Sequence, residues 1–394
     1  MPDSPVMRIA SVEPVPVTFR LEREPMSFLF IRVETDTGAV GWGEACDSYG
    51  VSYAGVLATV VRDAFAPLLV GQELTSAPAL ATLLKLSTRR RLGDQWVAVQ
   101  ARSAVEIALW DLVGQAAGRS VTDYIGRAHD AIPVYASSTF LDEGPAQMHA
   151  ELVAPLLARG VRMVKVRTGP QWRADLDTLR QLRSLLPDDV ELMIDGSETY
   201  TLPTALEIAD RLHELGIRWF EEPIPQVNRA AIARLCEKSR VPIAYGEHLY
   251  GREEAIDALS GTGVTVFQPD ASLSGGIAES REAAALAAYY GARVVPHVCA
   301  GPVSLAANLA VAGTVPAIHA IEYPLSLIPA WTALGVGADL GPDAIVDGRL
   351  PVPSAPGLGV ALAEDVAAAN PYSPPGRRVV GTVGGLPDRF VGDR

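Results

Sequence analysis

The chain has 394 residues, 48% hydrophobic and 20% charged, with a formal net charge of −13. That composition supports a large folded core and argues against a disordered chain. The acidic excess argues against nucleic acid or an anionic membrane as a partner, so an anionic ligand needs a local basic site.

The N-terminus, MPDSPVMRIASVEPVPV, lacks the charged-then-apolar pattern of a signal peptide. No apolar run reaches the ~18–20 residues that span a bilayer. Cys46, Cys236 and Cys299 are scattered and odd in number, so neither a disulfide framework nor a C-x-x-C pair is expected. A cytoplasmic location follows as the expectation.

FLFIRVETDTGAVGWGEA (28–45) reads as two β segments around the turn Asp36-Thr37-Gly38. Helical patterns follow at 53–70, 76–90 and 97–117. The last is apolar on most faces and therefore buried, with Gly118 as its C-cap. From residue 131 short β-rich runs alternate with helical runs: IPVYAS (132–137), VRMVKVR (161–167), ELMID (191–195), RWFEE (218–222), PIAYGE (242–247), TVFQPD (265–270), RVVPH (293–297) and HAIEY (319–323). Eight such runs argue for a parallel β/α barrel. Residues 324–394 break the rhythm and read as strands and turns that return to the N-terminal part, followed by a Gly/Pro-rich tail.

Six successive β runs carry an ionisable residue at their C-terminal end, as the last or last-but-one position: Asp195, Glu221, Glu247, Asp270, His297 and Glu322, spaced 23–27 residues apart. Taken singly, each carboxylate suits a turn or a helix N-cap, and a lone histidine is most often structural. In register on consecutive barrel strands, all six fall on the rim where barrel enzymes build their sites. Asp195, Glu221 and Glu247 together repel unless a cation neutralises them, and an all-oxygen set favours Mg²⁺. Asp270 beside His297 makes a general base. Glu322 is an acceptor if ionised and a donor toward an oxyanion if burial keeps it protonated. Lys165 and Arg167, two apart on one strand, put two cations on one face.

These stretches resemble the enolase superfamily, in its mandelate racemase branch. VETDTGAVGWGEA is similar to the family's capping hairpin, and AVEIALWDLVGQAAGRSV to its most recognisable helix. VKVR stands at its K-x-K motif, and MIDG, WFEEP and YGEH at its three metal-binding strand ends. FQPD, VVPH and IEYP stand at the strands that follow, and PGLGV at the return to the cap. The resemblance implies an α/β fold, a modified TIM barrel (β/α)₇β under an α+β capping domain built from both termini. Its expected parts are 1–130 (cap), 131–323 (barrel) and 324–394 (return to the cap). It also implies an Mg²⁺-dependent enzyme that removes the proton alpha to a small-molecule carboxylate and stabilises the enediolate with Mg²⁺, Lys165 and Arg167. Such barrels commonly associate, so a homo-oligomer is expected.

Two positions depart from the branch. Arg167 replaces the second lysine, and arginine stays protonated, so it is a poor base. Ser197 stands where many relatives have asparagine. Two-base racemisation therefore loses a partner, whereas dehydration of an aldonate or aldarate to a 2-keto-3-deoxy acid needs one base. The alternatives are a racemase, epimerase or cycloisomerase with Lys165 as second base, and a non-catalytic metal-binding relative. Substrate contacts are expected from Arg20, Tyr49 and Tyr53 of the cap loops (18–27 and 46–53), and from Ser197 and His248.

Overall fold

The computed structural model describes residues 7–21, 25–45 and 53–374. The chain opens with an antiparallel sheet of β1 (Ile9–Arg20), β2 (Pro25–Thr35) and β3 (Val40–Ala45), in that order. The β2–β3 turn falls at 36–38, with Gly38 in the left-handed region at φ +83°. β1 has no counterpart in the sequence reading, because Pro14 and Pro16 discourage a strand there. It is an edge strand. The N–H of Thr18, which has the same parity as the prolines, faces away from β2 and donates to Asn370 O at 3.2 Å. Prolines at 14 and 16 therefore remove no ladder hydrogen bond.

Among the helices that follow are α1 (Ala54–Val60), α2 (Ala77–Leu92) and α3 (Val97–Ala116). The Gly-Trp-Gly of β3 lies directly on α3. A Cβ on Gly43 would sit 1.8 Å from the Ala104 carbonyl oxygen, and one on Gly41 2.4 Å from that of Ala108. Only glycine permits this approach, which is why the two alternate around Trp42.

Eight parallel strands come next: β4 (Ala131–Phe140), β5 (Met163–Arg167), β6 (Glu191–Asp195), β7 (Phe220–Glu221), β8 (Ile243–Tyr245), β9 (Val266–Phe267), β10 (Arg293–Val294) and β11 (Ile321–Pro324). They pair in the order β10-β9-β8-β7-β6-β5-β4-β11. His319 N–H to Val294 O (2.9 Å) and Glu322 N–H to Pro296 O (3.1 Å) join the last strand to β10 and close the ring. A helix follows each of the first seven: α4 (Ala146–Ala158), α5 (Trp172–Leu185), α6 (Leu202–Glu214), α7 (Arg229–Lys238), α8 (Gly251–Thr262), α9 (Ile277–Tyr289) and α10 (Pro302–Thr314). This is the (β/α)₇β arrangement. Tyr135, Met193, Trp219, Ala244, Val266, Val295 and Ala320 fill the ring below its mouth.

The C-terminal segment divides its contacts. Arg349–Pro351 pairs antiparallel with the start of β4, whereas Leu358 N–H donates to Asp111 on α3 at 2.8 Å. Among the described residues no helix is long and apolar enough to cross a membrane.

Two buried carboxyls dock the cap on the barrel. Glu44 of β3 accepts from Gly301 N (2.6 Å) and Ser304 N (2.9 Å) at the start of α10. Glu106 of α3 accepts from Ile277 N (2.8 Å) and Ala278 N (3.1 Å) at the start of α9. Both satisfy orphan donors of a helix N-terminus. Burial outweighs those donors and pushes Glu44 up to about 8 and Glu106 up to about 7. The folded state thus holds protons that the unfolded chain releases near 4.5. Their contribution to stability is greatest at acid pH and is lost as pH rises through these folded values. The Tm difference between the parent chain and a Glu44→Gln/Glu106→Gln double variant is expected to shrink from pH 5 to pH 9, followed by thermal melts. A difference that grows with pH contradicts this.

Candidate active site

The strand ends converge on one mouth, and parity decides what faces it. In β5, Lys165 and Arg167 share the inward face, and Arg167 lies level with Asp195 in the register. Asp195 in turn lies level with Glu221. Lys165 is fully buried. Its Nζ donates to Glu221, lies 2.8 Å from Glu322 Oε1 and 3.7 Å from Asp195 Oδ2. Burial alone lowers a lysine pKa, but Glu221 and Glu322 reverse this and hold Lys165 well above its ordinary value. Arg167, 27% exposed, has Nε 3.1 Å from Asp195 Oδ2, close enough for an ion pair though not aligned as a hydrogen bond. The two cations tolerate each other because carboxylates separate them.

Asp195 Oδ1 accepts from Ser197 N (2.7 Å) and Ser197 Oγ (3.2 Å), in a turn where Ser197 and Glu198 both have positive φ. Ser197 therefore fastens a strand-end carboxylate. Glu221 also accepts from Gln268 Nε2 at 2.7 Å and Trp219 Nε1 at 3.3 Å. Glu247 lies 3.3 Å from His297 Nε2 and 3.7 Å from His248 Nε2. Its pKa is raised, first by burial and then by Glu222.

His297 Nδ1 pairs with Asp270 Oδ2 at 2.8 Å, which leaves Nε2 toward Glu247 and, at 3.8 Å, Glu322. Burial lowers the His297 pKa, but Glu247 and Glu322 raise it well above the ordinary value. Burial raises the Glu322 pKa, and Lys165, His297 and Arg167 together overcome it and bring it down to about 2. Of the two states the sequence left open for Glu322, the ionised acceptor is the one this geometry favours.

The mouth gathers Asp195, Glu221, Glu222, Glu247, Asp270 and Glu322, all buried, against the permanent cations Lys165 and Arg167. Such a surplus of buried carboxylate oxygens fits a divalent cation. Glu198, Glu222 and His248 are a group that could hold a metal, with ligand atoms all within 4.8 Å of one another. His248 Nδ1 is 3.2 Å from Glu222 Oε1, and Trp96 of the cap packs over the His248 ring with centroids 5.6 Å apart.

On a regular strand Glu222, directly after Glu221, would face the far side from it. Instead the chain leaves β7 at Glu222, with φ +36°, and the side chain turns toward His248. Gln268 was missed, although its spacing of two from Asp270 in FQPD carried the signal. Arg20 is exposed at the end of β1, and Tyr53, 53% exposed, precedes α1. Tyr49 lies outside the described residues.

A closed (β/α)₇β ring with charged strand ends under an antiparallel cap defines a capped-barrel enzyme. The chain matches the family described as enolase C-terminal domain-like over residues 147–366, and the mandelate racemase / muconate lactonizing enzyme N-terminal domain over 6–126. It therefore belongs to the mandelate racemase / muconate lactonizing enzyme family of the enolase superfamily, whose members begin by removing a proton alpha to a carboxylate. It is 30% identical over 344 residues to D-galactarolactone cycloisomerase of Agrobacterium fabrum, covering 86% of this chain and 89% of that protein. It is 29% identical over 355 residues to arabinonate dehydratase of Saccharolobus solfataricus, covering 88% and 91%. A crystal structure of a mandelate racemase/muconate lactonizing protein from Paracoccus denitrificans PD1222, complexed with magnesium, superposes with a TM-score of 0.82 at 28% identity, covering 92% of this chain and 97% of that one.

Proposed function

We propose that this enzyme dehydrates a sugar acid, an aldonate or aldarate, to a 2-keto-3-deoxy acid by one-base β-elimination. The observation that carries the reading is the pairing of one oriented imidazole, His297 on Asp270, with an arginine at the place of a second base. Asp195, Glu221 and Glu247 are the residues proposed to hold Mg²⁺, which when bound makes the α proton more acidic. Glu198, Glu222 and His248 lie one residue beyond or a few residues from these and are the competing set.

His297 Nε2 takes the α proton, and the C–H electron pair moves into the carboxylate. Whatever neutralises Glu247 weakens the hold that keeps the imidazole protonated, and so readies it as base. Lys165 and Arg167 supply fixed positive charge to the growing anion. The β C–O bond then breaks. The imidazolium returns its proton to the leaving hydroxyl as water departs, and the enol product tautomerises to the keto acid. Aldonates and aldarates incubated with enzyme and Mg²⁺ should yield a semicarbazide-reactive keto acid. No turnover across a complete panel sinks the proposal.

The cycloisomerase relative favours a second reading, in which the same base acts and a ring oxygen leaves. Lactones and anhydro acids in the panel separate the two, because that product keeps the mass of the substrate. The Arg167→Lys variant tests the one-base premise. In D₂O it should gain α-deuterium exchange with inversion, read by proton NMR. An unchanged rate and product profile would remove Arg167 from the choice of reaction.

A further inference from the structure

We infer that Asn308, Ser272 and Ser304 are positioning residues for the Asp270–His297 pair, and that the cap reaches this pair through Glu44. The inference rests on the reading of His297 as the base.

The two oxygens of Asp270 do different work. Oδ2 holds the imidazole at 2.8 Å. Oδ1 receives three donors: Ser272 N at 2.7 Å, Ser272 Oγ at 2.6 Å and Asn308 Nδ2 at 2.9 Å. Rotating the carboxylate away from His297 therefore breaks three further hydrogen bonds. Asn308 cannot flip its amide cheaply, since its Oδ1 accepts from Ala271 N at 2.8 Å and its Nδ2 also reaches Ser304 O at 3.2 Å. Ser272 Oγ accepts in turn from Ser304 Oγ at 2.8 Å.

Ser304 and Asn308 stand four apart on α10, on one face of a helix whose sequence is otherwise PV-LAA-LAVAGT. Both are fully buried, as are Ser272 and Asp270. A buried amide in an apolar helix is costly unless its partners are fixed, and here the partner is the carboxylate that orients the base. Glu44 completes the chain. By accepting from Gly301 N and Ser304 N it fixes the first turn of α10, and with it the aim of the Ser304 hydroxyl. The cap thus supports the base through Glu44, Ser304, Ser272 and Asp270, with no contact to His297 itself needed.

A network that only satisfies buried groups would alter stability and leave turnover per folded molecule alone. Steady-state kinetics on a substrate found in the panel, with Tm and the low-field proton resonance of His297 Nδ1–H, separate the two roles. His297→Asn assigns that resonance by its loss. Ser272→Ala, the smallest change, is expected to lower kcat at least tenfold with KM within twofold, and to move the resonance upfield. Ser272→Thr, which keeps the hydroxyl, restores both. Asn308→Leu is expected to act like Ser272→Ala, and Glu44→Gln to lower kcat severalfold. Folded Ser272→Ala and Asn308→Leu proteins with the parent kcat and an unmoved resonance overturn the inference. A parent-like Glu44→Gln overturns the cap's part alone. If His297→Asn retains full turnover, the base reading fails, and the resonance alone then decides whether the network positions the imidazole.

Discussion

A His297→Asn variant is expected to lose roughly 10²–10⁴-fold in kcat while keeping its fold, because an oriented general base contributes about that much. The imidazole is buried and fixed through Nδ1, so Nε2 is the nitrogen left to meet substrate. Asparagine can still donate to Asp270, so the carboxylate is not abandoned and the barrel need not rearrange. Circular dichroism and Tm should therefore match the parent, and exchange of the substrate α proton with D₂O should stop. A variant that still exchanges this proton at the parent rate would falsify His297 as the base.

A Lys165→Met variant is expected to be destabilised by about 3–5 kcal/mol, the usual effect of breaking a buried ion pair. Lys165 is shared by Glu221, Glu322 and, at longer range, Asp195, and methionine fills similar volume without the charge. Glu221 and Glu322, both buried, then lose their nearest cation. A cation that binds the folded state alone adds stability by mass action. Thermal melts in EDTA and in Mg²⁺ should therefore differ more for Lys165→Met than for the parent. Adding Glu221→Gln should cancel the Mg²⁺ effect if the cation sits with Asp195, Glu221 and Glu247, and Glu222→Gln should cancel it if Glu198, Glu222 and His248 hold it. A parent-like Tm for Lys165→Met in EDTA contradicts the expected loss.

The sequence exposed the barrel well because its signal repeats. Asp195, Glu221, Glu247, Asp270, His297 and Glu322 each stand at or beside the C-terminal end of a β run, and this spacing survives even where the paired strand shrinks to Phe220–Glu221 or Val266–Phe267. Lengths were overestimated at those places because β-rich residues continue into turns, where backbone pairing stops. β1 escaped notice because prolines mask an edge strand. The group of Glu198, Glu222 and His248 depends on left-handed turns at Glu198 and Glu222, which residue type alone does not announce. Ser272, Ser304 and Asn308 read as ordinary loop and helix residues, since only tertiary packing brings them to Asp270. The leaving group remained open for a different reason: loss of water and loss of a ring oxygen can use the same base.

The carboxyls of Glu44 and Glu106 sit at the starts of two barrel helices, and β3 touches α3 through bare glycine backbone. A cap fastened in this way does not swing open as a lid. Lifting it would strip acceptors from α9 and α10 together and would loosen the support of the base at the moment of entry. Traffic of substrate and product is therefore left to smaller movements of chain segments that carry none of these fastenings, and a change that loosens the cap is expected to lower turnover along with stability.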